Sequence, residues 1–185
     1  MINRKAIGYI TANYTSKQHS ALLESRPLAS VPFMGRYRLI DFPLSNVMNA
    51  GIRTVGVVLP GNYRSLVDHL GSGREWELDR KKGGLFLLQG SAYGTAKKGI
   101  RFLLRDINTN KMLFQRASEP YVVMSATNIV FNMDLSDVID AHERSGSGVT
   151  MIYKKADRQI GDVMKLDIDD NGRVTDLGSG CAYGE

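Results

Sequence analysis

The chain has 185 residues, of which 43% are apolar and 23% charged, the balance of a globular protein able to bury one sizeable core. Lys and Arg number 24 against 19 Asp and Glu. That excess suits anionic ligands such as nucleotides. It is too diffuse for a nucleic-acid module, because no basic stripe is interleaved with aromatics. Cys181 is the only cysteine, which excludes an internal disulfide framework and fits a reducing compartment. No apolar run approaches the ~20 residues of a membrane span, and Ile7 to Ala12 is too short for a signal peptide. A cytoplasmic protein without membrane contact is expected.

Apolar runs alternate with segments of helical period, which predicts an α/β fold with a mainly parallel sheet. Ala6–Ala12 is the first buried strand, and a polar loop follows from Asn13. Asp41 is placed to cap a helix carrying Pro43 in its first turn and Leu44, Val47 and Met48 on one face. Thr54–Leu59 is a second buried strand, closed by Pro60-Gly61. Unbroken Val/Ile/Leu runs of this kind belong to strands covered on both faces. Residues 71–84 are charged and flanked by glycine, a surface loop or short exposed helix. Leu85–Leu88, Tyr121–Met124 and Val149–Tyr153 are further strands. Ile100, Leu103, Leu104 and Ile107 form one helical stripe. Leu135, Val138, Ile139 and His142 form another, behind Asp134 as N-cap and ending at Gly146. Asp169-Asp170-Asn171-Gly172 turns between two short strands, Met164–Asp167 and Arg173–Asp176.

Residues 31–52 carry the most information: Val-Pro-Phe-Met-Gly-Arg-Tyr-Arg-Leu-Ile-Asp-Phe-Pro-Leu-Ser-Asn-Val-Met-Asn-Ala-Gly-Ile. The run resembles the sugar-nucleotide pyrophosphorylase family, in particular its ADP-glucose pyrophosphorylase (glucose-1-phosphate adenylyltransferase) branch, with its Pro-Phe-Gly-Gly-Lys-Tyr-Arg-Leu-Ile-Asp-Phe-Pro-Leu-Ser-Asn segment. The resemblance implies a Rossmann-like nucleotidyltransferase fold. It covers essentially all of residues 1–185 and corresponds to the N-terminal portion of one nucleotidyltransferase-like domain. The later strands and the C-terminal β-helix domain of the family are not in this sequence, so a truncated domain is expected.

Several functional positions of the family are replaced. Counting back from Phe33, the glycines of the phosphate loop fall on Asn13, Tyr14 and Ser16, and its arginine on Gln18. Side chains at 13 and 14 crowd a triphosphate, and glutamine lacks arginine's permanent charge. The lysine of a Lys-Pro-Ala-Val stretch becomes Leu28. In Tyr121-Val-Val-Met-Ser-Ala-Thr-Asn, the aspartate that binds the catalytic Mg²⁺ in the family becomes Thr127, a neutral hydroxyl where a hard cation favours anionic oxygen. Gly94-Thr95-Ala96 matches a segment that opens a helix beside the nucleotide base. Arg36 stands where the family links a cation to effector binding, and Arg38 lies on the same segment.

The resemblance therefore implies a regulatory or catalytically degraded subunit, similar to the GlgD-type partner of an active subunit, working in glycogen biosynthesis as a hetero-oligomer. A nucleotide or sugar phosphate is its expected ligand. An active adenylyltransferase with atypical site residues is the alternative. A dinucleotide-binding oxidoreductase is disfavoured by the missing Gly-x-Gly-x-x-G after the first strand. His19, His69 and His142 show no metal-ligand spacing and read as surface or interface histidines. Arg80, Lys81 and Lys82 read as a solvated loop.

Overall fold

A computed structural model describes residues 5–13, 20–23, 26–90, 104–155, 164–177 and 182–184. Its contacts divide the chain into two compact units, Met1–Asp140 and Ala141–Glu185.

The first unit is built on a parallel sheet. Strand β1 (Ala6–Thr11) is buried at every residue, as its unbroken apolar run requires. The chain then forms a short helix α1 (Ser20–Leu23), a 3-10 turn at Leu28–Ser30, and a hairpin of β2 (Pro32–Phe33) and β3 (Tyr37–Arg38). Helix α2 (Asp41–Asn49) leads to β4 (Thr54–Leu59), whose inner four residues are buried. Helix α3 (Arg64–Leu70), which the sequence reading missed, and a 3-10 turn at Arg74–Trp76 precede β5 (Gly84–Gln89). Helices α4 (Leu104–Thr109) and α5 (Lys111–Arg116) then lead to β6 (Tyr121–Ala126). Helix α6 (Leu135–Ser145) spans the division between the units.

The sheet order is β5-β4-β1-β6, and all neighbouring pairs are parallel. Ala6 to Thr11 pair with Tyr121 to Ala126, and Gly8 to Thr11 with Val55 to Val58. On one face, α2, α3 and the first part of α6 pack Leu44, Val47, Leu66, Leu70 and Ile139 against Ala6, Ile10, Val55 and Val57. On the other, α4 and α5 bring Ile107, Leu113 and Phe114 onto Ile7, Tyr9 and Val58. Gly56 makes this second face possible: a Cβ there would lie 2.6 Å from Leu113 and 2.7 Å from Leu88. The helices change faces between β5 and β6, so β6 joins beside β1 and a topological switch point falls between those two strands. The parallel sheet with helices on both faces is the expected Rossmann-like α/β arrangement.

The second unit contains a sheet of order β7-β10-β8-β9, from β7 (Tyr153–Lys155), β8 (Met164–Ile168), β9 (Val174–Leu177) and β10 (Ala182–Gly184). Its described pairings are antiparallel. Asp169 Oδ1 accepts from the amides of Asn171 and Arg173, and Gly172 has φ +77°, so the Asp-Asp-Asn-Gly turn forms as expected.

Four expectations need correction. The helix after the hairpin begins at Asp41, with Ile40 at the cap; the Asp41 carboxylate reaches backward to the Arg38 amide. The strand expected at Val149–Tyr153 forms at Tyr153–Lys155, and Val149 is exposed, because its apolar side chain has no buried face to join. Leu104 is exposed and not part of a buried stripe; Asp106 is turned inward instead. The outer strands β5 and β6 are only partly covered, unlike β1 and β4. Asp134 does cap α6, accepting from the Ser136 amide at 2.8 Å, and Gly146 ends it with φ +61°. Among the described residues no helix is long and apolar enough to cross a membrane.

Candidate functional site

In an open α/β sheet, ligands gather at the carboxyl ends of the strands beside the switch point. Here that crevice is bordered by Asn13, just past β1, and Thr127, just past β6. Both are buried, Asn13 to 6% and Thr127 to 0% exposure. Asn13 Nδ2 donates to Asp106 Oδ2 at 2.9 Å. Asn110 Nδ2 donates to the carbonyls of Asp106 and Gln89, at 2.8 and 3.0 Å, which ties α4 to the end of β5. Gly90 follows that strand, and a Cβ on it would lie 2.6 Å from the Leu59 carbonyl oxygen and 2.8 Å from Asn13 Nδ2. The carboxamide of Asn13 is thus clamped between a glycine and a buried aspartate.

Polar groups are left over at this edge. Among the described residues, Asn13 Oδ1 and Thr127 Oγ1 are buried without a hydrogen-bond partner, as is Tyr9 Oη further along β1. Burial, and secondarily the Asp106 charge, push the Tyr9 phenol well above its usual range. A neutral hydroxyl at 127 and a carboxamide at 13 do not make a donor set for a hard divalent cation, which favours carboxylate oxygens. Among the described residues no group of three or more His, Cys, Asp or Glu could hold a metal. Asn13 and Thr127, the described residues past the ends of β1 and β6, do not fit the Mg²⁺ of the resembling family.

The second cluster surrounds the hairpin. Met34 and Gly35 form its tip with φ +51° and +80°, so a methionine occupies a backbone region that favours glycine. Phe33 meets Phe42 edge-on and Tyr37 packs tilted against it, with ring centroids 5.4 and 6.2 Å apart. Arg36 is exposed on the tip. Arg38 is not available in the same way, because its Nη1 donates to the Ser65 carbonyl at 2.6 Å. His69 is half-buried rather than a surface residue: its Nε2 lies 2.6 Å from Asp41 Oδ1, and its ring meets Trp76 edge-on at 5.8 Å. Leu28 stands in the 3-10 turn, accepting only through its backbone from Val31. Asp41, the Arg38 amide and His69 therefore staple the hairpin to α3.

The structure thus brings Asn13 and Thr127 to the same edge, and Arg36 and Arg38 to a separate hairpin. Tyr14, Ser16, Gln18, Gly94, Thr95 and Ala96 lie outside the described residues. Asp106, Asn110 and Gly90 were missed in the sequence. Asp106 sits beside Ile107 in an amphipathic stretch, and its reason for being buried is a partner 93 residues earlier. No periodicity carries that signal.

The fold and this crevice define a class. Residues 22–178 match the nucleotidyl transferase family, and the chain belongs to that family. Among curated relatives, it is 38% identical over 156 residues to the glycogen biosynthesis protein GlgD of Bacillus subtilis (strain 168), covering 83% of this chain and 45% of that protein. It is 37% identical to GlgD of Geobacillus stearothermophilus, over 82% of this chain and 44% of the relative. To the glucose-1-phosphate adenylyltransferase of Pseudothermotoga lettingae it is 36% identical, over 80% of this chain and 35% of the relative. The chain spans less than half the length of these relatives.

Proposed function

We propose that this protein is a regulatory, catalytically degraded subunit of ADP-glucose pyrophosphorylase, acting in glycogen biosynthesis by assembly with a catalytic subunit. The reaction of the assembly is glucose 1-phosphate plus ATP to ADP-glucose plus pyrophosphate. The observation that carries the reading is Thr127: a buried, neutral hydroxyl at the switch point without a partner among the described residues, beside Asn13. Chemistry at an α-phosphate needs a cation to offset the charge that builds during attack, and this edge supplies neither a carboxylate for a metal at 127 nor room at 13. A scaffold that retains the core and the Arg-Tyr-Arg hairpin while losing those groups is suited to assembly and effector response. The exposed Arg36 is its candidate contact for a sugar phosphate or nucleotide.

The second reading is an active glucose-1-phosphate adenylyltransferase with atypical site residues, favoured by relatives of that name at 36% identity and below. It requires replacements for the phosphate loop, the lysine and the metal carboxylate.

The test is ADP-glucose synthesis by the purified protein, alone and titrated into the catalytic subunit from the same genome. Silence alone, with a changed rate or activator response in the mixture, supports the regulatory subunit. Robust turnover alone overturns it in favour of the second reading.

A further inference from the structure

Basic residues that look scattered in the sequence meet at the amino ends of the parallel strands. A groove of about 1100 Å³ opens where β1, β4, β5 and β6 begin, and continues between β5 and α5. Lys5, Arg53, Arg80, Lys81, Lys82 and Arg116 line it, with Glu119 as the one carboxylate in the lining. Six cations against one carboxylate leave an excess of five, and the whole chain, with 24 Lys and Arg against 19 Asp and Glu, also has an excess of five.

Glu119 is held by neutral donors, and Glu77 and Asp79 share an adjoining hollow with Arg80 and Lys81. The Oε1 of Glu119 accepts from Thr54 Oγ1 at 3.3 Å, and its Oε2 from the Ser118 amide and hydroxyl at 2.8 and 3.2 Å. Arg53 commits Nη1 to the carbonyls of Met48 and Ile52. Arg80, Lys81, Lys82 and Arg116 are exposed. Beneath them the floor is apolar: Phe86 is 41% and Met112 50% exposed, next to Leu88 and Leu113. Small-ligand pockets measure ~300–1000 Å³; this groove is larger, and four of the cations that line it are exposed.

We propose that the groove docks an extended acidic segment of a partner protein. Its carboxylates meet Arg80, Lys81, Lys82 and Arg116, and its apolar side chains lie on Phe86 and Met112. Charge complementarity supplies steering and register, and the apolar floor supplies the contact area that desolvates. A nucleic-acid strand would use the cations but leave a mainly aliphatic floor with one aromatic ring for its bases.

The test is fluorescence anisotropy with the whole chain and three labelled probes: a Glu-Glu-Leu repeat peptide, an all-Glu peptide of equal length, and oligouridine RNA. The Glu-Glu-Leu peptide is expected to bind at least about fivefold more tightly than all-Glu, reflecting the apolar floor. Arg80→Glu with Lys81→Glu and Lys82→Glu should weaken it by about tenfold or more, whereas Arg173→Glu, in the other unit, should change it by less than about twofold. Phe86→Ser with Met112→Ser should cost about fivefold, with circular dichroism verifying the fold. Equal binding of the all-Glu peptide, tighter binding of the RNA, or no saturable binding would each overturn the proposal.

Discussion

At the carboxyl ends of β1 and β6 a buried carboxamide bonded to Asp106 and a buried hydroxyl stand past the strands, whereas at the amino ends of the same sheet six cations line a groove. The fold favours ligands at the first of these edges. This chain has a carboxamide and a buried hydroxyl there and a cation-lined groove at the other.

The contrast can be broken by experiment. Gly90→Ala has the largest expected effect, since the new Cβ would meet the Leu59 carbonyl and the Asn13 amide; a loss of about 3 kcal/mol in urea unfolding is expected. An unchanged midpoint would mean that the edge is not rigid. Asp106→Ala strands the Asn13 amide in the interior and should cost about 2 kcal/mol by the same measurement.

Tyr9 sharpens the comparison through pH. Its phenol is raised in the folded protein by burial and then by Asp106, so the unfolded chain ionises first as pH rises. Stability should therefore fall above pH ~10, by at most about 1.4 kcal/mol per unit from this group. Tyr9→Phe should remove that part of the slope while leaving neutral-pH stability equal or slightly higher, because the hydroxyl has no partner among the described residues. Thr127→Val deletes another such hydroxyl at nearly constant shape, and a gain of about 1 kcal/mol is expected in thermal unfolding. A loss instead would show that Thr127 Oγ1 has a partner in solution. Charge reversal at Arg80, Lys81 and Lys82 should move stability by no more than about 0.5 kcal/mol, since these side chains are exposed. The groove would then be separable from the fold, as the buried edge is not.

Much of the fold was legible. The apolar runs of β1, β4, β5 and β6 announce strands directly, and the capping aspartate and final glycine of α6 mark its ends. Helix α3 was not, because Arg64–Leu70 buries only Leu66 and Leu70 and presents little stripe to read. The identities of Asn13 and Thr127 were visible as letters, but their burial was not.

The sequence by itself determined the alternation of strand and helix, the family and the neutral residue at 127, because these rest on local periodicity and residue identity. Tertiary structure decided the rest. Strand order set the switch point between β1 and β6 and brought Asp106 to Asn13 across 93 residues. It also gathered Lys5, Arg53, residues 80–82 and Arg116 around one groove. Those outcomes depend on which strands become neighbours, a property of long-range packing that no stretch of the chain contains.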